Sequence, residues 1–363
     1  GPIREKGIPN VFNVFDLDNT KKKARQDEWQ EQTQSVFASV EVGWKSMLYL
    51  TLTGRNDWAS QLANSSTPCF FYPSVGLSGV ISEMLTLPEF IDYMKVRGSF
   101  SSVGMPYPRN LTSPTYEYDE ANQQWKPKTH YPIKDLKPER TNSWELGLDM
   151  RLFKDFSLGF SWYLANTFNQ TFDPKVSVSS GYSKIYLQTG YVRNSGVELS
   201  LGYGHTWNNH LHWESNFTLS HNKNTIKDLV TSYIHPETGL PITQNRLDVG
   251  GLGKARFILK KGGTLGDLYT QSDLKRDNSG MVEIDPSGAL TTEDNLPDIK
   301  LGSVFPKANL AWNNRFEWRG ISLSALFTAR IGGIAYSATQ AAMDQYGVSE
   351  RSAQARDNGG VLL

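Results

Sequence analysis

The residues best suited to chemistry are six histidines, His130, His205, His210, His212, His221 and His235, and a scatter of carboxylates. His210 and His212 stand two apart, so on one strand both reach the same face, a geometry that can bind metal. They flank the Trp207-Asn208-Asn209 turn, however, and no adjacent carboxylate pattern completes a ligand set. Asp273 to Gly280 and Asp285-Pro286-Ser287-Gly288 look like pieces of calcium loops but lack the alternating ligand spacing such loops need. Polar turns are the better reading. Gly250-Gly251-Leu252-Gly253-Lys254 has the glycines and lysine of a phosphate loop without a following Ser or Thr on a helix, and reads as a flexible external loop. Glycoside hydrolysis needs two facing carboxylates, and the carboxylates here are dispersed along strand-like segments. Cys69 is the sole cysteine, which rules out an internal disulfide framework and a cysteine-based metal cluster. The expectation is a protein that is not an enzyme, with no cofactor and no metal.

Composition narrows the class further. The 363 residues carry 37 Lys and Arg against 37 Asp and Glu, so no electrostatic footprint argues for nucleic acid. No run approaches the roughly 18 apolar residues of a membrane-spanning helix. The chain opens at Gly1-Pro2 and stops at Val361-Leu362-Leu363, with no signal peptide at its start, and reads as a partial chain.

The elements that would position any site repeat with period two. Val36, Val40, Val42 and Trp44 alternate with Ser35, Ser39, Glu41 and Gly43. Trp144, Leu146, Leu148 and Met150 alternate with Ser143, Glu145, Gly147, Asp149 and Arg151, and Phe156, Leu158, Phe160, Trp162 and Leu164 with Ser157, Gly159, Ser161 and Tyr163. Successive side chains of a strand point to opposite faces, so these are strands. Ten are expected, over 34–44, 45–55, 70–81, 92–103, 142–153, 156–168, 191–205, 210–222, 306–318 and 320–331, with an eleventh near Val11 to Leu17. They are longer than the 5–6 residues usual in globular sheets and close to the 9–11 that a tilted strand needs to cross a bilayer.

A soluble all-β sandwich would alternate in the same way. The connections separate the two. Short turns at Gly43-Trp44-Lys45, Phe153-Lys154-Asp155, Trp207-Asn208-Asn209 and Trp318-Arg319-Gly320, with a slightly longer one over Ser82 to Asp92, alternate with long connections near 56–69, 104–141, 167–190 and 223–305. Outer-membrane barrels pair tight periplasmic turns with long external loops in this way. Aromatics gather beside the short turns (Trp44, Tyr93, Phe153, Phe156, Trp207, Trp318), as an interfacial girdle requires. The fold expected is therefore all-β, a transmembrane antiparallel β-barrel against outer-membrane lipid. Its inward face would carry Glu41, Arg55, Lys95, Arg97, Glu145, Asp149, Arg151, Glu198, Glu214, Arg315, Glu317 and Arg330. Such a wall suits a wet or plugged lumen and is too polar for a dry core.

Several phrases along this pattern resemble the SusC/RagA family of TonB-dependent outer-membrane receptors. They are Arg55-Asn56-Asp57-Trp58-Ala59-Ser60-Gln61-Leu62 with Phe71-Tyr72-Pro73-Ser74, then Met94-Lys95-Val96-Arg97-Gly98-Ser99-Phe100, then Leu136-Lys137-Pro138-Glu139-Arg140-Thr141, then Val192-Arg193-Asn194-Ser195-Gly196-Val197-Glu198. No single phrase suffices; their order across roughly 34–335 carries the likeness. The resemblance implies the C-terminal half of a barrel of about 22 strands. It also implies location in the outer membrane of a Gram-negative, Bacteroidetes-like bacterium. A SusD/RagB-like lipoprotein would cap the mouth and capture an oligosaccharide or oligopeptide, and TonB would drive import through an N-terminal plug. The TonB box, the plug and the last barrel strands of that family are not found in residues 1–363, so the whole chain is expected to be partial barrel. The loop 104–141 is the ligand or partner candidate, with Tyr107, Tyr116, Tyr118, Trp125 and Tyr131, because aromatic faces stack on sugars and anchor peptides and partner proteins. Active import is the first reading. A passive porin or adhesin and a soluble all-β carbohydrate-binding module are the alternatives.

Overall fold

The computed structural model describes residues 29–108, 111, 117–119, 124–126, 137–172, 187–207, 210–234, 241–357 and 359. The strands in chain order are β1 (Thr33–Trp44), β2 (Leu48–Ala59), β3 (Cys69–Val80), β4 (Ile91–Met105), β5 (Glu117–Asp119), β6 (Gln124–Lys126), β7 (Glu139–Leu152), β8 (Phe156–Phe172), β9 (Leu187–Trp207) and β10 (Leu211–Asp228). Next come β11 (Val230–Ile234), β12 (Pro241–Gln244), β13 (Arg246–Leu252), β14 (Ala255–Lys260), β15 (Asp267–Thr270), β16 (Asp273–Leu274), β17 (Thr292–Glu293), β18 (Ile299–Ser303), β19 (Ala308–Trp318) and β20 (Ile321–Ile331). Three helices are short: α1 (Ile81–Met84), α2 (Ala338–Gln345) and α3 (Glu350–Asp357). Among the described residues no helix is long and apolar enough to cross a membrane.

Ten strands form one antiparallel sheet in the order β1-β2-β3-β4-β7-β8-β9-β10-β19-β20. They are the ten expected from the alternation, and each crosses to its neighbour in sequence. β2 begins at Leu48 rather than Lys45, because a tight turn takes the intervening residues. Met47 N donates to Trp44 O, and Lys45 and Ser46 both have positive φ. Phe153-Lys154 and Arg319-Gly320 repeat that left-handed pair. Two left-handed central residues give a hairpin turn whose twist matches that of the strands it joins. The segment near Val11 to Leu17 lies outside the described residues.

The pairing register carries one face continuously across the sheet. Glu41 opposes Thr51, Arg55 opposes Tyr72, Lys95 opposes Asp149, Ser161 opposes Glu198, Glu214 opposes Arg315 and Asn309 opposes Arg330. The other face is apolar and open: Val42 is 56 %, Leu146 56 % and Leu323 69 % exposed. No layer of this chain covers it among the described residues. An exposed apolar patch of this extent is incompatible with water and is the outer surface of a membrane barrel.

That apolar face ends in rings beside the short turns. Phe90 stacks on Phe153 at 5.5 Å, Phe156 meets Tyr203 at 4.8 Å, Tyr203 meets Trp213 at 5.1 Å and Trp213 stacks on Phe316 at 5.6 Å. Lys45 lies 4.9 Å over the Trp44 ring and Arg319 5.5 Å over the Trp318 ring, so amphipathic rings and cations meet at one level. Leu199 (apolar face, opposite Phe160 and Leu219) and Ser200 (polar face) are adjacent in β9. Leu199→Arg should lower the unfolding free energy in lipid vesicles by about 2–4 kcal/mol, and Ser200→Arg by well under half of that. Equal losses in a urea titration would refute the assignment of faces.

Candidate functional site

The polar face contains two hydrogen-bonded nodes. In the first, Arg97 sits directly opposite Gly147. Its guanidinium lies across that glycine to reach Asp149 (2.8 Å), Glu145 (3.3 Å) and, one strand further, Ser161 Oγ (2.7 Å). A Cβ at Gly147 would stand 2.5 Å from Arg97 Cζ, so only glycine admits the crossing. In the second node Arg55 donates to Asp57 (2.7 Å) and Ser35 Oγ (2.9 Å), and Tyr72 Oη donates to the other Asp57 oxygen (2.8 Å). Asp57 is 6 % exposed, and its two carboxylate oxygens accept from the Arg55 guanidinium and the Tyr72 hydroxyl, as a buried charge requires.

The sheet curls so that β7 and β20 line one open trough of about 680 Å³, with Asp149, Ser161, Glu198, Ser200, Asn309 and Arg330 on its walls. The register puts all twelve expected wall residues, Glu41, Arg55, Lys95, Arg97, Glu145, Asp149, Arg151, Glu198, Glu214, Arg315, Glu317 and Arg330, on this face. Arg97, Glu145 and Asp149 come together in one node, and Glu198 and Arg330 share the trough. Arg55 belongs to the separate node, Glu41 accepts from Thr51 Oγ1 (3.4 Å), Arg315 pairs with Glu317, and Arg330 donates to Val304 O (2.7 Å). Lys95 and Arg151 occupy the face by register, opposite Asp149 and Ser157.

The loop aromatics divide differently. Tyr107 is 4 % exposed, a packed ring at the base of its loop, so it offers no open face to a ligand. Burial raises its phenol. Tyr118 and Trp125 stand opposite each other in the β5–β6 hairpin. Tyr116 and Tyr131 lie outside the described residues. His212 Nδ1 shares a hydrogen bond with Thr206 Oγ1 (2.9 Å). The calcium-like segments are turns: Asp277 Oδ1 accepts from Ser279 N (2.8 Å) and Met281 N (3.0 Å), and Asp285 Oδ1 accepts from Ser287 N (2.8 Å) and Ala289 N (2.9 Å).

The connection 223–305, expected as a long loop, is instead folded. β13, β14, β15 and β18 make a four-stranded sheet, and Gly250 to Lys254, expected as flexible loop, forms the end of the β13–β14 hairpin. It is anchored on the extensions of β9 and β10 by Val192, Ile226, Leu229, Leu247 and Leu259, with Leu265 packed against them. Ile226 N donates to Gly263 O and Gly262 N to Ile226 O, both at 2.8 Å, and Leu265 N donates to Asn224 Oδ1 at 2.9 Å. The segment after β20 joins it through Ile334 N to Ser303 O (2.9 Å).

Three carboxylates brace this module. Arg246 and Lys260 converge on Asp298, whose side chain is 4 % exposed, at 2.7 and 2.8 Å. The Arg246 hydrogen bond and, less strongly, Lys260 outweigh the burial penalty and push its carboxyl down to about 2. Burial alone would raise the fully buried Asp267, but Lys300 (2.6 Å) and the Thr264 donors leave it below the ordinary range. Asp248, whose burial also opposes its charge, is held low by Arg256 (2.9 Å) and the Gly250 N–H. A folded-state value depressed to about 2 means that the Asp298 contribution is complete above about pH 4 and is lost as pH falls through 2. Asp298→Asn should reduce the opening free energy of β13–β14 at pH 7, read by hydrogen exchange, by about 1.5–3 kcal/mol. It should also remove the loss of protection that the parent shows between about pH 4 and 2. Unchanged exchange in the variant would show that the pair does not brace the module.

A family model described as "TonB dependent receptor-like, beta-barrel" matches residues 6–272. The chain is 24 % identical over 271 residues to TonB-dependent receptor P39 of Formosa agariphila, covering 71 % of this chain and 23 % of that protein. It is 23 % identical over 350 residues to TonB-dependent receptor P26 of the same organism, covering 90 % of this chain and 34 % of that one. The chain therefore spans between about a quarter and a third of the length of these relatives. Among solved structures, the RagAB peptide transporter superposes with a TM-score of 0.66 at 18 % identity, over 86 % of this chain and 35 % of that one.

Proposed function

The chain belongs to the TonB-dependent receptor-like β-barrel family, and from that premise we propose that it forms part of an outer-membrane importer that moves oligosaccharides or oligopeptides inward, driven through TonB and capped by a SusD/RagB-like surface lipoprotein. The observation that carries this reading is the continuous polar face of the ten-stranded sheet, whose charges of both signs line a curled trough. The apolar opposite face seats that wall in lipid. A wall of this kind lets a polar solute pass without burying it in hydrocarbon, and it contributes no covalent chemistry.

In this reading the polar face looks into the lumen, the short turns face the periplasm and the long connections face outside. The β13–β14–β15–β18 module then stands at the outer mouth, where ligand and lipoprotein would meet it. The sheet has β1 and β20 at its edges. A lipid core satisfies no open strand edge, so in the membrane both edges need pairing to close the barrel. The greater length of the curated relatives is consistent with additional strands.

The test uses the whole protein in its own cells, with oligopeptides and oligosaccharides offered separately as sole nutrient. Removal of TonB should abolish growth on one class and leave uptake of small diffusible nutrients intact. Uptake that persists without TonB would identify a passive pore, and growth on neither class affected by loss of the gene would overturn the importer reading.

A further inference from the structure

Charge on the ten strands is segregated between the two faces beyond what a polar lumen requires. Every carboxylate at a register-paired position lies on the polar face, with Glu145, Asp149 and Glu198 among them, except Asp228 at the last position of β10, which is tied to Lys261 at 2.8 Å. The apolar face carries three lysines or arginines at such positions: Arg140, Arg193 and Lys223. All three lie toward the ends of β7, β9 and β10 that lead into long connections.

Their rows are adjacent. Arg140 opposes Phe168, Asn142 and Asn166 share a row with Arg193, and Trp144, Leu164 and Ser195 share the next row with Lys223. In the next row exposed His221 stands opposite Val197 with its ring tied to Lys307 O, and below it the face is apolar as far as the aromatic girdle. Arg193 Nε donates to Asn166 Oδ1 (2.8 Å) and its Nη2 to Tyr191 Oη (2.7 Å), while Arg140 Nη2 donates to Phe71 O (2.9 Å). These neutral partners fix the guanidinium groups without cancelling their charge. Among the described residues no carboxylate pairs with Arg140, Arg193 or Lys223. Arg140 and Lys223 are exposed. A cation at the border of an apolar band is costly unless its head reaches polar groups, and an anionic headgroup is the complementary one.

We propose that the outward face at the long-connection end of β7 to β10 is a docking site for a phosphorylated glycolipid of the outer leaflet. Arg140, Arg193 and Lys223 would meet its phosphates, and Trp144 and Leu164 its acyl chains. Cations spread over three neighbouring rows suit a headgroup with more than one phosphate, and the Asn142 and Asn166 amides beside them suit sugar hydroxyls. The assignment rests on the outward orientation of the long connections given above.

The test is native mass spectrometry of the detergent-solubilised full-length protein titrated with diphosphoryl lipid A. The R140Q/K223Q variant leaves the Arg193 ties intact and should bind about 30-fold more weakly, as the loss of two near-surface cations implies. R140K/K223R should restore binding, and dephosphorylated lipid A should bind the parent about tenfold more weakly. Equal binding by R140Q/K223Q and the parent, or indifference to phosphate, would overturn the site. Phosphatidylglycerol binding as tightly through the same two cations would overturn its assignment to a glycolipid. Heat-modifiable migration of parent and variant on gels reads the barrel separately: loss in the variant alone passes the decision to the dephosphorylated lipid, and loss in the parent sinks the membrane reading itself.

Discussion

Hydrocarbon offers no hydrogen-bond partner to a peptide group, so a chain that crosses a bilayer in strands must satisfy every N–H and C=O from neighbouring strands. That demand fixes a continuous antiparallel ladder, and the ladder fixes the faces. Successive side chains alternate, so one choice of register sends Leu146, Leu148 and Met150 to lipid and Glu145, Gly147, Asp149 and Arg151 to the other side. A slip of one residue would exchange the two sets. The Arg97–Gly147 crossing adds a specific lock, because the guanidinium fits only over the one residue that has no side chain.

The same ladder extends beyond the apolar band and there becomes a support for ordinary globular packing. The long ends of β9 and β10 hold Val192 and Ile226 for the module above them, so a folded sheet grows from strands whose lower parts face lipid. Away from lipid, stability returns to buried leucines and to carboxylates each gripped by a cation: Asp248, Asp267 and Asp298. Two solvents act on one strand, and its sequence changes character at the boundary between them. On the apolar face that boundary is where Arg140, Arg193 and Lys223 stand.

All ten strands were legible in the sequence, because period-two alternation sustained over this length has no other cheap explanation, and the parity of the connections told barrel from sandwich. Which residues share the polar face followed from parity alone, since alternation assigns a face before any contact is known. The module was not legible. Its strands are short, such as Ala255–Lys260 and Asp267–Thr270, and Gly250, Gly251 and Gly253 dilute the alternation at the hairpin end. Its ion pairs join residues as distant as Arg246 and Asp298, which no local pattern connects. The hairpin signal at Gly253-Lys254, between Leu247 and Leu259, was the clue available. Tyr107 was legible as an aromatic in a long loop but not as a buried one, because burial depends on how the loop base folds.

The central claim is that one face of this sheet meets lipid and the other meets water. Single cysteines along Phe156 to Leu164 of β8, introduced with Cys69 replaced by serine and spin-labelled in vesicles, test it most directly. Accessibility to oxygen should peak at Phe156, Leu158, Phe160, Trp162 and Leu164, and accessibility to a water-soluble nickel chelate at Ser157, Gly159, Ser161 and Tyr163. Chelate access at both sets, or an oxygen profile without period two, would contradict the account.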